Sequence, residues 1–237
     1  MDVADAVDRA RRLLDEDKTD EALEILLAAA RENPCEDLDL EIASVYTERG
    51  FERTGEPALA DFAEARTWAE LPLTLVGEAH VRIFREELEQ AEALLAQALE
   101  MDPELPPAKV LEGRIRLHRG NVAGAGEAFM TAVQLSPRYG DAYLGLAEAL
   151  TRAERRKEAI EALAEGARQD PGNDVLLVAF AEALTEEKEF EKARAAWRRA
   201  TEINRFNAAA WRGLAAALAR DGDEVGCAQA LSRAEQS

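Results

Sequence analysis

The stretch AEALLAQALEMDP, residues 91–103, is answered by AGEAFMTAVQLSP at 125–137 and AIEALAEGARQDP at 159–171. The three segments start 34 residues apart and end on Pro103, Pro137 and Pro171. Within each, two small residues stand seven apart, which places them two turns along one face of a helix. Followed along the chain, one small series is Ala91, Ala125, Ala159, Ala193 and Cys227, and the other is Ala98, Ala132, Gly166, Ala200 and Ala234. Between them lies a large apolar residue: Leu95, Phe129, Leu163, Trp197 and Leu231. Small side chains admit a neighbouring helix closely, and the large one fills the gap beside it. The spacing therefore encodes a helix packed the same way in every repeat.

A further series, Ala79, Gly113, Ala147, Ala181 and Ala215, marks a preceding helix that crosses the first. Gly120, Asn121 and Gly222 supply turns between helices. Pro34, in the context ARENP, carries the pattern back toward the N-terminus. Seven helix pairs result, near residues 3–36, 37–71, 72–105, 106–139, 140–173, 174–207 and 208–237. The second is irregular: Ala43, Ala58, Phe62 and Ala65 read as its packing residues, but GFERTGEP, residues 50–57, predicts an inner turn about three residues longer than the others. At the sixth junction Arg205 stands where Pro is expected. Gly166, mid-helix, costs roughly 1 kcal/mol relative to Ala and reads as relief of a crowded contact.

This pattern resembles the tetratricopeptide repeat (TPR), a helix-turn-helix unit of 34 residues whose Pro closes the second helix. The resemblance covers essentially the whole chain. It implies an all-α fold, an α-solenoid coiled as a right-handed superhelix of about seven TPR units, with residues 1–237 forming a single domain. In such proteins the first helix of each pair lines a concave groove that binds peptides. Mapped here, the lining comprises Leu73, Val76, His80 and Phe84 in the third repeat, and Val110, Arg114, Leu117 and His118 in the fourth. The fifth contributes Asp141, Leu144, Glu148 and Arg152, the sixth Val175, Val178, Glu182 and Glu186. Val76, Val110, Leu144 and Val178 recur at the repeat period. Such a stripe serves either as a seat for an amphipathic helix or extended peptide or as packing between adjacent first helices. His80, Arg114 and His118 favour an acidic group on the ligand, and Glu148, Glu182 and Glu186 a basic one.

Composition narrows the function classes. The 237 residues are 47% hydrophobic but only 5% aromatic, so the core is built from Ala and Leu, which suits closely packed helices better than sheets. A net charge of -19 repels phosphate backbones, so nucleic acid is excluded as a partner. The opening MDVADAVDRARRLL lacks the basic start and apolar run of a signal peptide, and no run approaches the ~18 apolar residues of a membrane helix. The expectation is a soluble cytoplasmic protein without membrane insertion.

Catalysis lacks its inventory. His80 and His118 are the only histidines, stand 38 residues apart and have no Cys beside them, so no metal site or other cofactor is expected. The glycines of GNVAGAG, residues 120–126, follow no strand and read as a turn, not a phosphate loop. Cys35 and Cys227 lie near opposite ends of an extended array and are not expected to pair. Asn33, Asn121, Asn173, Asn204 and Asn207 fall at turns or helix ends, which disfavours the Asn- and Lys-rich groove of co-chaperones that grip acidic tails. The chain is thus read as a non-enzymatic scaffold or adaptor for a protein or peptide. An assembly factor, a secretion- or pilus-type co-chaperone and a self-assembling homo-oligomer stand as alternatives.

Overall fold

The computed structural model describes residues 2–237. Fourteen α-helices and no strand occur among the described residues, arranged as consecutive pairs. The pairs are α1 (Val3–Leu14) with α2 (Thr19–Glu32), α3 (Glu36–Glu52) with α4 (Glu56–Trp68), and α5 (Pro72–Phe84) with α6 (Leu88–Met101). Then come α7 (Pro106–His118) with α8 (Val122–Leu135), α9 (Gly140–Arg152) with α10 (Arg156–Gln169), α11 (Asp174–Glu186) with α12 (Phe190–Ile203), and α13 (Ala208–Arg220) with α14 (Glu224–Glu235). The fold is the TPR α-solenoid. The chain divides into two compact units, Met1–Leu111 and Glu112–Ser237, the division falling within α7.

Each unit repeats one packing rule. In the first, α1 touches α3 and α3 touches α5; in the second, α9 touches α11 and α11 touches α13. Within either unit, among the described residues, no second helix makes a comparable contact with the second helix of the adjacent pair. First helices therefore crowd together while second helices splay, which puts the first helices on the inner face of each unit.

The size of the second-helix knob is matched to its socket. Phe62 on α4 lies against Gly50 of its own pair and Gly77 of the next. Phe129 on α8 is wedged in the same way between Gly113 and Gly145, and Trp197 on α12 lies over Gly213. A methyl group at Gly113 would approach Phe129 Cε1 to 2.7 Å, and one at Gly213 would approach Trp197 Cδ2 to 2.5 Å. An aromatic knob thus requires glycine on the facing helix, because no L side chain fits at that separation. Gly166 is a crowded contact too, its Cα facing the Tyr143 ring. Leu231, the last of the large series, is 46% exposed.

The hairpin turns share a closure that sequence reading caught only where glycine marks it. Asp17, Glu86, Gly120, Glu154, Lys188 and Gly222 all adopt positive φ, between 58° and 80°. In each turn the next residue's N–H reaches back to a carbonyl five residues earlier, as in Glu87 to Arg82 (2.9 Å) and Asn121 to Arg116 (2.8 Å). These are Schellman closures, which need one left-handed residue. Asn121, Asn173, Asn207 and Asp223 then cap the helices that follow, each accepting from the backbone N–H three residues on.

The second pair departs from this rule, and its irregularity is not where the sequence placed it. The connector Arg53–Gly55 is as short as the three-residue connectors of most other pairs; the extra residues instead prolong α3 to 17, against 13 in α5. The added turn stays helical because Phe51 packs edge-on against Phe62 at 5.5 Å and Gly50 lets that ring lie on the backbone. In place of a Schellman closure, a charged network ties the pair. Asp61 on α4, 2% exposed, accepts from Arg49 Nε (3.0 Å) and Nη2 (2.6 Å) and from Arg53 Nη1 (2.9 Å). Arg49 also donates to Asp20 at the start of α2 at 2.5 Å, joining the first two pairs. A buried carboxylate is tolerable only when so satisfied.

Candidate functional site

Two apolar clefts open between successive first helices, one in each unit. In the first unit, α3 contributes Gly50 and Phe51, α4 Phe62, and α5 Gly77, His80, Val81 and Phe84, with Arg85 just past its end, around about 350 Å³. Phe84 is 76% exposed, and His80 meets it edge-on with ring centres 4.9 Å apart. The added turn of α3 shapes this cleft, since Phe51 on it forms one wall. Its rim cations are engaged, Arg53 by Asp61 and Arg85 by Glu56 and Glu87.

The second unit holds the larger cleft, about 580 Å³. Its floor is Ala193 and Trp197 on α12 with Gly213, Ala216 and Ala217 on α13. Glu182, Thr185 and Glu186 on α11 form one rim, and Arg220 and Asp221 at the end of α13 the other. The Arg220 guanidinium carbon lies over the Phe190 ring, 3.1 Å from its centre, a cation–π contact. Asp221 pairs with Arg194.

The residues expected in the groove fall into three sets. His80 and Phe84 belong to the first cleft, and Glu182 and Glu186 to the second. Val76 and Val110 (3% and 1% exposed) and Leu117 are buried, and Leu144 and Val178 are half-buried, so packing claims most of these side chains. Leu73, His118, Asp141 and Val175 are exposed. Of the charges, Arg114 sits 3.8 Å from Asp141, and Arg152 pairs with Glu148 at 2.6 Å while donating to the Leu117 carbonyl at 3.1 Å. Glu182 and Glu186 have no ion-pair partner among the described residues.

Sequence reasoning missed Phe51, Phe190, Trp197 and Arg220 as cleft residues. Trp197 was legible only as a packing knob; that its ring also floors a cavity depends on where α13 lies. Phe190 had no periodic signal. Among the described residues, no group of three or more His, Cys, Asp or Glu side chains is placed to hold a metal ion, and no helix is long and apolar enough to cross a membrane. Cys35 and Cys227 are both free.

Comparison with known proteins places this geometry in a family. Residues 64–205 match the model of the cytochrome c-type biogenesis protein H TPR domain. The cytochrome c-type biogenesis protein CcmH of Escherichia coli (strain K12) is 31% identical over 145 residues, covering 49% of this chain and 41% of the relative. The chain therefore spans about two fifths of the length of the curated relatives it matches. Among solved structures, yeast Tom70 superposes with a TM-score of 0.76 at 20% identity, over 93% of this chain and 48% of Tom70. A tetratricopeptide repeat protein from Parabacteroides merdae does so with a TM-score of 0.65 at 17% identity, over 99% of this chain and 92% of its own. At such identities these structures speak for the fold alone, whereas the family match covers more than half of the sequence. The chain belongs to the family of the cytochrome c-type biogenesis protein H TPR domain.

Proposed function

We propose that this chain is a non-catalytic scaffold that holds a segment of a partner polypeptide during the biogenesis of c-type cytochromes. One observation carries the reading: in each unit an apolar cleft stays open between first helices, where a solenoid with no ligand would gain by filling it. Apolar surface left in water costs roughly 25 cal/mol per Å², and open apolar concavities with a polar rim are where partner side chains enter. The family match supports that process, and the fold supports that mode. A stack of helix pairs offers an extended, sequence-tunable surface without assembling reactive groups.

The test is a binding scan. Fluorescent peptides tiling the polypeptide of a c-type cytochrome are titrated against the purified chain by anisotropy, beside Phe84→Asp and Ala216→Asp variants. Both positions are exposed, so the helices survive the changes. The expected result is saturable binding of a subset of peptides, weakened at least tenfold by one or both variants. Absence of binding by every tile, or binding indifferent to both variants, refutes the proposal. Sedimentation of the same samples reports whether the scaffold acts as a monomer or as a self-associated array.

A further inference from the structure

The two clefts differ in one respect that points to the chemistry of an occupant. At the α11 rim, Glu182 and Glu186 stand one helical turn apart, both exposed and without ion-pair partners among the described residues. The corresponding positions one repeat earlier are Glu148 and Arg152, which neutralise each other at 2.6 Å. One repeat later they are Ala216 and Arg220, with Arg220 spread over Phe190. Only in α11, of these three helices, does the pair carry like charge, an arrangement that destabilises a helix at this spacing. Thr185 between them does not relieve it, for its hydroxyl donates to the Ala181 carbonyl at 2.7 Å. A local rule is broken at the mouth of an apolar cleft and no ion pair among the described residues compensates, which is the pattern expected where a ligand completes the interaction.

Resting on the scaffold reading above, we propose that the α11–α13 cleft docks a cationic amphipathic helix of a partner protein. Its apolar side chains enter over Trp197, Ala193, Ala216 and Ala217. A Lys or Arg pair spaced four residues apart along the same helix faces Glu182 and Glu186. The match is geometric as well as electrostatic. Two residues four apart lie about 6 Å along any α-helix, so a partner helix reproduces the separation of the two glutamates with its own backbone repeat. The apolar floor contributes affinity, and the charges contribute orientation and discrimination. Arg220, held on the Phe190 face, limits the cleft at the far rim and keeps an occupant's positive charge on the α11 side.

The test uses three synthetic helical peptides sharing one leucine stripe and carrying Lys, Glu or Gln at the paired i, i+4 positions. Each is titrated by fluorescence anisotropy against the wild-type chain and against Glu182→Lys/Glu186→Lys. The double variant keeps a like-charge pair on an exposed rim, so its helical circular dichroism and unfolding midpoint match wild type and serve as the fold control. For wild type, the Lys peptide binds at least tenfold tighter than the Glu peptide, and its affinity falls as salt rises. In the double variant that preference inverts. A preference unchanged by the charge reversal places the site elsewhere and overturns the proposal, as does equal binding of all three peptides or binding of none. If these peptides fail while cytochrome tiles bind, the cleft assignment falls and the scaffold reading stands. If the tiles fail as well, the scaffold reading falls with it.

Discussion

Gly145→Ala isolates the knob-and-socket match that spaces the helices of the second unit. In a helix interior, alanine is favoured over glycine by about 1 kcal/mol, so by propensity alone the change stabilises. Packing opposes it. The new methyl group would fall inside contact distance of three atoms of the Phe129 ring, which is fully buried and lies against the Gly113 backbone as well, so the ring has little room to move away. Overpacking of this kind costs about 1–3 kcal/mol, and the confined ring argues for the upper part of that range. The expected net effect is a loss of about 1–2 kcal/mol, the difference between these two terms. Gly126→Ala, in α8 itself, is the internal control. A methyl group there meets nothing within 4 Å, so the same substitution should stabilise by up to about 1 kcal/mol. Phe129→Leu opens the socket, and adding Gly145→Ala to it should then stabilise. The sign of the glycine substitution reverses with the identity of the knob, giving a coupling of about 2–3 kcal/mol. Urea unfolding followed by circular dichroism, fitted as neighbouring repeats, measures all five proteins. If Gly145→Ala raises the midpoint as Gly126→Ala does, the socket does not control helix spacing and the reasoning is wrong.

Three other measurements probe separate features. Glu186→Arg recreates the pairing of Glu148 with Arg152 and should raise stability by about 0.3–0.5 kcal/mol, while weakening the cationic peptide in the anisotropy assay. Asp61→Ala strips Arg49 and Arg53 of their shared acceptor. It should lower stability by about 2–3 kcal/mol, read as an earlier loss of the first unit in urea. All three tyrosines have their phenol pKa raised, in each case chiefly by burial, with Glu64, Asp141 and Glu165 adding repulsion to Tyr46, Tyr139 and Tyr143 respectively. A folded-state pKa above the unfolded value means stability is intact below pH ~10 and is lost as pH climbs through the folded values. Ultraviolet absorbance should therefore show phenolate forming later than in a denatured control, together with helix loss; titration at the ordinary value in a fully helical protein would contradict this.

Sequence alone determined the helix pairs, their phase and the positions that pack. Those features are written by residues seven apart on one helix and 34 apart between repeats, and each needs only its neighbours to be read. Ala91, Ala98 and Leu95 betray their role by spacing, and the same spacing carries the assignment to Trp197. Asn121, Asn173 and Asn207 likewise identify themselves as helix-end residues by what stands around them.

Tertiary structure decided the rest, because it depends on separations between elements that no local pattern records. The added residues of the second repeat lengthen α3 instead of its turn, since Phe51 finds Phe62; that choice belongs to two helices at once. Glu86, Glu154 and Lys188 adopt the left-handed turn conformation without being glycine, because the closing hydrogen bonds and hairpin packing outweigh the strain. Asp61 could not be distinguished from a surface carboxylate until Arg49 and Arg53 were seen to enclose it. The groove residues divided in the same way. Periodicity located Val76 and Val110 on the first helices but not their burial, and Glu182 and Glu186 gained their meaning only when α12 and α13 put an apolar floor beside two unpaired charges.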